Sequence, residues 1–117
     1  MRVQLHGQTL RLRIDEAELA VLLAGDRLEN ATRWPDGRKQ HQRLMLAVQA
    51  SWQRLDDDGW CLTLVEADVR ALAARLPSRD GLTFALDTPG GGALDVLFDV
   101  DVRDSVRQRR SDRSATP

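Results

Sequence analysis

The sequence is poor in the residues on which several kinds of site depend. It has one cysteine, Cys61, which excludes an intramolecular disulfide and any zinc site built from several thiolates. It has no tyrosine and only two phenylalanines, so it lacks the aromatic platform of a typical single-strand nucleic-acid binder. With 17 basic and 18 acidic residues the formal net charge is −1, which gives no general attraction to nucleic acid or anionic membranes. Any such binding would require a local basic patch.

Long hydrophobic runs are also missing. No apolar stretch approaches the length that spans a membrane, and residues 1–5 alternate in polarity instead of forming the apolar segment of a signal peptide. We therefore expect a cytoplasmic protein that makes no membrane contact. The 117 residues match one ordinary domain, and a composition of 42% hydrophobic and 30% charged residues is typical of a globular protein.

The clearest positive signal is an internal repeat. Residues 12–24 align without a gap on residues 62–74. Five aligned pairs are identical: Leu12 and Leu62, Glu16 and Glu66, Ala17 and Ala67, Leu22 and Leu72, and Ala24 and Ala74. In both copies an apolar period of two changes to a period of 3.6 at the same point. Each copy therefore predicts a strand followed by a helix.

Turn signals extend this repeat to both halves of the chain. Each half predicts a strand, a helix near 16–25 or 66–76, a second strand, a Pro-Gly turn and a third strand, and the first half adds an N-terminal strand. Asp15 and Glu18 are placed to form a capping box on the first helix. The predicted fold is α+β: two pseudo-symmetric β-α-β-β units that share one core, with a mostly antiparallel sheet and two short helices.

The predicted organisation is a single domain over residues 1–104, with repeat units of about 1–50 and 51–104. Residues 105–117 are rich in arginine and serine and contain few apolar side chains, which predicts a disordered basic tail.

The N-terminal eighteen residues also carry a family resemblance. Their sequence, MRVQLHGQTLRLRIDEAE, resembles the opening of a family of small uncharacterised bacterial proteins, which reads approximately M-K-I-R-I-K-x-N-S-x-R-x-R-L-T-x-x-E. Residues 62–64 and 94–101 are similar to later segments of that family, but the family continues into an acidic tail whereas this chain continues into a basic one. The family has no established activity, so the resemblance supports an architecture and supplies no mechanism.

The strongest candidate for a binding site is a basic turn. Its six residues lie in or beside the Trp-Pro-Asp-Gly sequence at 34–37: Arg33, Trp34, Arg38, Lys39, His41 and Arg43. A turn of this kind can contact phosphates and stack its aromatic ring on a base or another flat group. The alternative is a solvated hairpin whose tryptophan folds back onto the protein.

A second candidate is the acidic face of the last strand, formed by Asp95, Asp99 and Asp101. These carboxylates could hold a metal ion or form an acid-base site. The alternative, which we favour, is that they form salt bridges with Arg11 and Arg13 on a neighbouring strand. The acidic turn at 56–58 lacks the ligand spacing of a calcium loop, so we interpret it as solvated.

No catalytic residue can be named from the sequence. It contains no Gly-x-Ser-x-Gly, P-loop or dinucleotide-binding motif, and no cofactor is implied. We therefore favour a non-catalytic protein-interaction or self-association module, with a homo-oligomer or a protein as the partner. The alternative is nucleic-acid or phosphate-ligand binding through the basic turn 33–43. The third hypothesis is a small metal-dependent enzyme that uses the acidic face of the last strand.

Overall fold

The computed structural model describes residues 1–55 and 58–102. The predicted tail at 105–117 and residues 56–57 of the acidic turn lie outside the described residues. Within the described part, two helices and eight strands follow in the order β1 (Arg2–His6), β2 (Thr9–Asp15), α1 (Glu16–Leu23), β3 (Leu28–Arg33), β4 (Lys39–Ala47), β5 (Ser51–Leu55), β6 (Gly59–Val65), α2 (Glu66–Ala74), β7 (Leu82–Asp87) and β8 (Ala93–Asp101).

The strands form two four-stranded sheets, each of which takes one hairpin from each half of the chain. Sheet A has the order β1-β2-β8-β7, and sheet B has the order β3-β4-β6-β5. The outer pairs of both sheets are antiparallel, whereas the central pairs, β2 with β8 and β4 with β6, are parallel. Because each half contributes to both sheets, neither half has a complete sheet of its own.

The two halves correspond strand by strand. Corresponding strands begin at residues 2 and 51, 9 and 59, 28 and 82, and 39 and 93, and they have equal lengths of 5, 7, 6 and 9 residues. The registers also agree: Leu12 lies opposite Phe98 in sheet A, and its counterpart Leu62 lies opposite Leu44 in sheet B. The α+β fold of two similar units sharing one core is confirmed, and it fits the predicted pseudo-symmetry.

One strand differs from the sequence interpretation, which gave an N-terminal strand to the first half alone. The second half has the corresponding strand β5, paired antiparallel with β6, so each half is β-β-α-β-β. Strand β5 was not predicted because its sequence has Arg54 at the position equivalent to the apolar Leu5 of β1. The apolar alternation on which strand prediction depends is therefore absent from β5.

The first helix begins as predicted. Asp15 accepts a hydrogen bond from the backbone N–H of Glu18 at 2.7 Å, and the Glu18 carboxylate accepts one from the Asp15 N–H at 3.1 Å. This reciprocal pair is the capping box, which satisfies two backbone donors that the helix would otherwise leave unpaired. Gly25 follows the helix with a φ of 92°, a left-handed conformation that glycine adopts without steric penalty.

The inner faces of both sheets and both helices contribute to one hydrophobic core. Leu22 of α1 and Leu72 of α2, which are equivalent in the repeat, are both buried within it. Its other buried members are Leu10, Leu12, Ile14, Leu19, Leu28, Leu44, Leu62, Leu64, Val69, Val96, Phe98 and Val100. Neither half could bury its apolar face alone, so the core depends on both repeats.

Neither helix of the described part of the chain has the length and apolar character needed to cross a membrane.

Candidate functional site: a cavity at the polar end of sheet B

Strand alternation divides the predicted basic cluster between two surfaces. Arg33, His41 and Arg43 lie on the outer face of the β3–β4 hairpin, opposite to the buried side chains of β4. Lys39, the first residue of β4, shares this face by alternation but also borders the end of the sheet. Arg43 forms a salt bridge of 2.8 Å with Glu29, its direct partner across the two strands. This pairing lowers the number of unpaired cations on the outer face.

Trp34 and Arg38 face a different surface, an open cavity of about 290 Å³ at the end of sheet B. Lys39, at the first position of β4, also lines it. The remaining described residues that line it are Asp36, Gln40, Arg54, Asp58, Gly59 and Trp60. The cavity therefore combines part of the predicted basic turn with residues from β5 and the start of β6.

The charges of this cavity are only partly balanced. Arg38 forms an ion pair with Asp58, and the Asp36 carboxylate accepts a hydrogen bond of 2.9 Å from the Arg38 backbone N–H. Lys39 and Arg54 have no ion-pair partner within residues 1–55 and 58–102. The guanidinium carbon of Arg54 instead lies 5.4 Å from the centre of the Trp52 ring, within cation–π range. Within the described part of the chain, two cations of the lining are thus left without an ion pair.

Two of the three tryptophans of the chain line this cavity, and the third contacts its Arg54. Trp34 and Trp60 line the cavity, and Trp34 is 50% exposed. Trp52 is 37% exposed and supports Arg54. Large aromatic surfaces that are left open to water are typical of binding surfaces.

The two halves carry different side chains at the equivalent positions of this end. At the end of sheet B, each of three cross-strand pairs on the inner face contains at least one polar or charged side chain. We name these three pairs the polar end: Asn30 with Gln42, Thr32 with Gln40, and Arg54 with Trp60. The corresponding pairs of sheet A are entirely apolar, and we name them the apolar end: Phe84 with Val96, Leu86 with Leu94, and Leu5 with Leu10. The same backbone framework therefore carries hydrocarbon at one end and polar groups at the other.

Behind the cavity, the polar end extends into the core. Gln42 is 7% exposed and is the one buried polar residue of the described chain. Its side-chain oxygen accepts a hydrogen bond of 2.8 Å from the Asn30 amide, and Gln42 lies directly opposite Trp60 in the sheet. A buried amide without this hydrogen bond would lower the free energy of unfolding by roughly 1–3 kcal/mol. The bond between Asn30 and Gln42 therefore allows a polar side chain to be buried at this position.

The acidic face of the last strand has the predicted basic partners. The Asp99 carboxylate lies 2.9 Å from a terminal guanidinium nitrogen of Arg11 and 3.5 Å from Nε of Arg13. The predicted pairing is confirmed. Asp95 and Asp101 share the outer face of β8 with Asp99, and no group of three or more His, Cys, Asp or Glu side chains in the described ranges could hold a metal ion.

Sequence reasoning found Trp34, Arg38 and Lys39 of the cavity but missed Arg54, Trp60 and Gln40. A signal for the missed residues was present in the repeat. The ungapped alignment covers only residues 12–24 and 62–74, because the connection after α2 is longer than the connection after α1. An alignment that allowed this gap would have paired Gln40 with Leu94. It would then have shown that polar residues of the first half correspond to apolar residues of the second.

No protein-family model matches the chain, and no curated protein matches it significantly.

Proposed function

We propose that this protein is a non-catalytic binding module that holds a phosphate-bearing ligand in the cavity at the polar end. The observation that supports the proposal is the replacement of three apolar cross-strand pairs by polar, cationic and aromatic ones at equivalent positions. Buried polar side chains such as Gln42 lower stability unless they are hydrogen-bonded, a requirement that hydrocarbon at the same position does not have. Their presence at one end alone is therefore better explained by binding than by folding.

The charges favour an anion. Lys39 supplies a flexible ammonium group, and Arg54 supplies a planar guanidinium whose donors match phosphate oxygens. Both line the cavity, and neither is neutralised within the described residues. A volume of about 290 Å³ is close to the lower limit of small-ligand pockets, so a small molecule or one group of a larger ligand would fit.

The lining does not favour catalysis. Among its described residues there is no serine, cysteine or histidine to act as a nucleophile or general base. The two carboxylates, Asp36 and Asp58, are engaged by Arg38 through a backbone hydrogen bond and an ion pair. Binding without chemical conversion is the function that these groups support.

A titration with pyrophosphate tests the proposal. Intrinsic fluorescence reports on this site because Trp34 and Trp60 line it. We expect emission to change at low salt and the apparent affinity to fall at high salt. Arg54→Leu introduces the residue found at the equivalent position, Leu5, and should weaken binding roughly tenfold or more. Arg79→Leu, on an exposed loop arginine, is the matched control and should bind normally. Unchanged emission together with no heat of binding in isothermal titration calorimetry of the unmodified protein would remove the proposal.

Self-association, the function favoured by the sequence, is a second proposal. It is supported by β1, an edge strand of sheet A on which Leu5 is 71% exposed. An edge strand presents unpaired backbone groups to which a second copy of the chain could add. Size-exclusion chromatography with light scattering should show a dimer that Leu5→Lys dissociates. A monomer at all accessible concentrations would contradict it.

A further inference from the structure

The cavity offers an aromatic surface and a cation side by side. Arg54 of β5 lies directly opposite Trp60 of β6, and both side chains line the cavity. Trp34 approaches the same space from the turn that follows β3. A simple anion would form ion pairs with the cations of such a site but would stack on neither ring.

The two rings differ from what the fold requires at their positions. The residue equivalent to Trp60 is Leu10, which is buried to 1% exposure, and the residue equivalent to Trp34 is Thr88. Trp60 is only partly buried although it replaces a core leucine. Part of its surface therefore borders the cavity, where a flat group can pack on it.

From this arrangement we infer that the ligand unit is a nucleotide, with its base stacked on Trp34 or Trp60 and its phosphate held by Arg54 and Lys39. The inference depends on the proposed function and specifies its ligand class. Base stacking on an aromatic side chain tolerates any base, because every base has a flat face. Gln40, which lines the same cavity, can donate to and accept from the edge of a base.

The same unit occurs in a free mononucleotide and in single-stranded nucleic acid. Both present an unpaired base, whereas the bases of a duplex are already stacked on their neighbours. The basic residues Arg33 and His41 on the adjacent outer face would extend the contact to further phosphates only if the ligand is a strand. Salt dependence therefore separates the two sources.

Isothermal titration calorimetry with AMP, ribose 5-phosphate and adenosine tests the inference directly. AMP should bind roughly tenfold or more tightly than either fragment, because it alone carries both the ring and the phosphate. Trp60→Leu, which introduces the residue of the equivalent position, should reduce the affinity for AMP to that for ribose 5-phosphate. Trp34→Thr tests the second ring in the same way, and Arg79→Leu is the control.

The outcomes distinguish this inference from the function on which it depends. Equal affinity for AMP and ribose 5-phosphate, with both lowered by Arg54→Leu, would overturn the nucleotide inference and leave phosphate binding intact. Absence of binding by all three probes and by pyrophosphate would overturn both. An eight-nucleotide single strand that binds more tightly than AMP, with a steeper salt dependence, would identify the strand as the source. Equal affinity for that strand and for its duplex would contradict base stacking.

Discussion

Asn30 donates a hydrogen bond of 2.8 Å to the side-chain oxygen of Gln42 at the place where the other half of the chain packs Phe84 against Val96. The two pairs occupy the same positions in equivalent hairpins. One framework thus accommodates an amide pair and a hydrocarbon pair, which gives every residue of the polar end a natural control at the apolar end.

The amide pair should be replaceable only as a pair. Gln42→Val leaves the Asn30 amide without its partner and should lower the free energy of unfolding by roughly 1–3 kcal/mol. The double change Asn30→Phe with Gln42→Val introduces the apolar pair of the second half and should recover most of this loss. Urea unfolding of both single variants and the double variant measures the coupling. A single Gln42→Val variant as stable as the unmodified protein would contradict the prediction.

Much of the fold could be predicted because the repeat reinforces weak local signals. The alternation of Leu62 and Leu64 before a helical pattern repeats that of Leu12 and Ile14, so the central strands and both helices are evident from two independent copies. Strand β5 could not be predicted in this way, because Arg54 interrupts the apolar face. The order of strands was also beyond prediction, since alternation identifies a buried face but not the neighbouring strand.

The site could be predicted only in part, for a related reason. Trp34, Arg38 and Lys39 are close in sequence and appear as a cluster on one turn. Arg54 and Trp60 join them only because β5 and β6 pair with each other and β6 lies beside β4. Periodicity cannot show such a juxtaposition, and the polarity of Gln42 is informative only when it is compared with Val96.

The equivalent helix leucines should contribute similarly to stability. Leu22 and Leu72 are 0% and 1% exposed in the shared core. Leu22→Ala and Leu72→Ala should each lower the free energy of unfolding by roughly 2–5 kcal/mol, through lost apolar burial and the remaining cavity. Val21→Ala, at an exposed position of the same helix, is the control. A loss below about 1 kcal/mol at either leucine would show that its helix is not packed as described.

The salt bridges of the outer face of sheet A should have a small effect on stability. The Arg11 and Arg13 side chains are half-exposed, so water and salt screen their attraction to Asp99. Asp99→Asn should lower the free energy of unfolding by no more than about 1 kcal/mol, and the difference should shrink in high salt. Asp87→Asn, at an exposed carboxylate on the last residue of β7, is the control. A larger and salt-independent loss would mean that Asp99 has a role beyond this pair.

Glu29 should titrate at a lower pH than an ordinary glutamate. The hydrogen bond of 2.9 Å from Nε of Arg43 lowers the pKa of Glu29, and the charges of Arg43, Arg27 and His41 act in the same direction. Since the pKa is lower in the folded state than in the unfolded state, the stabilising contribution is present above the unfolded value. It is lost as the pH falls through the folded value.

Side-chain carboxyl chemical shifts followed by NMR against pH measure this directly. Arg43→Gln should move the Glu29 pKa upward toward its ordinary value, because it removes both the charge and the guanidinium hydrogen bond. Arg33→Gln changes a basic residue of the same hairpin that does not pair with Glu29, and it should leave the titration nearly unchanged. The same Glu29 pKa in the Arg43→Gln variant as in the unmodified protein would show that this salt bridge does not persist in solution. Arg43 would then be available, with Arg33 and His41, to contact the phosphates of a bound strand.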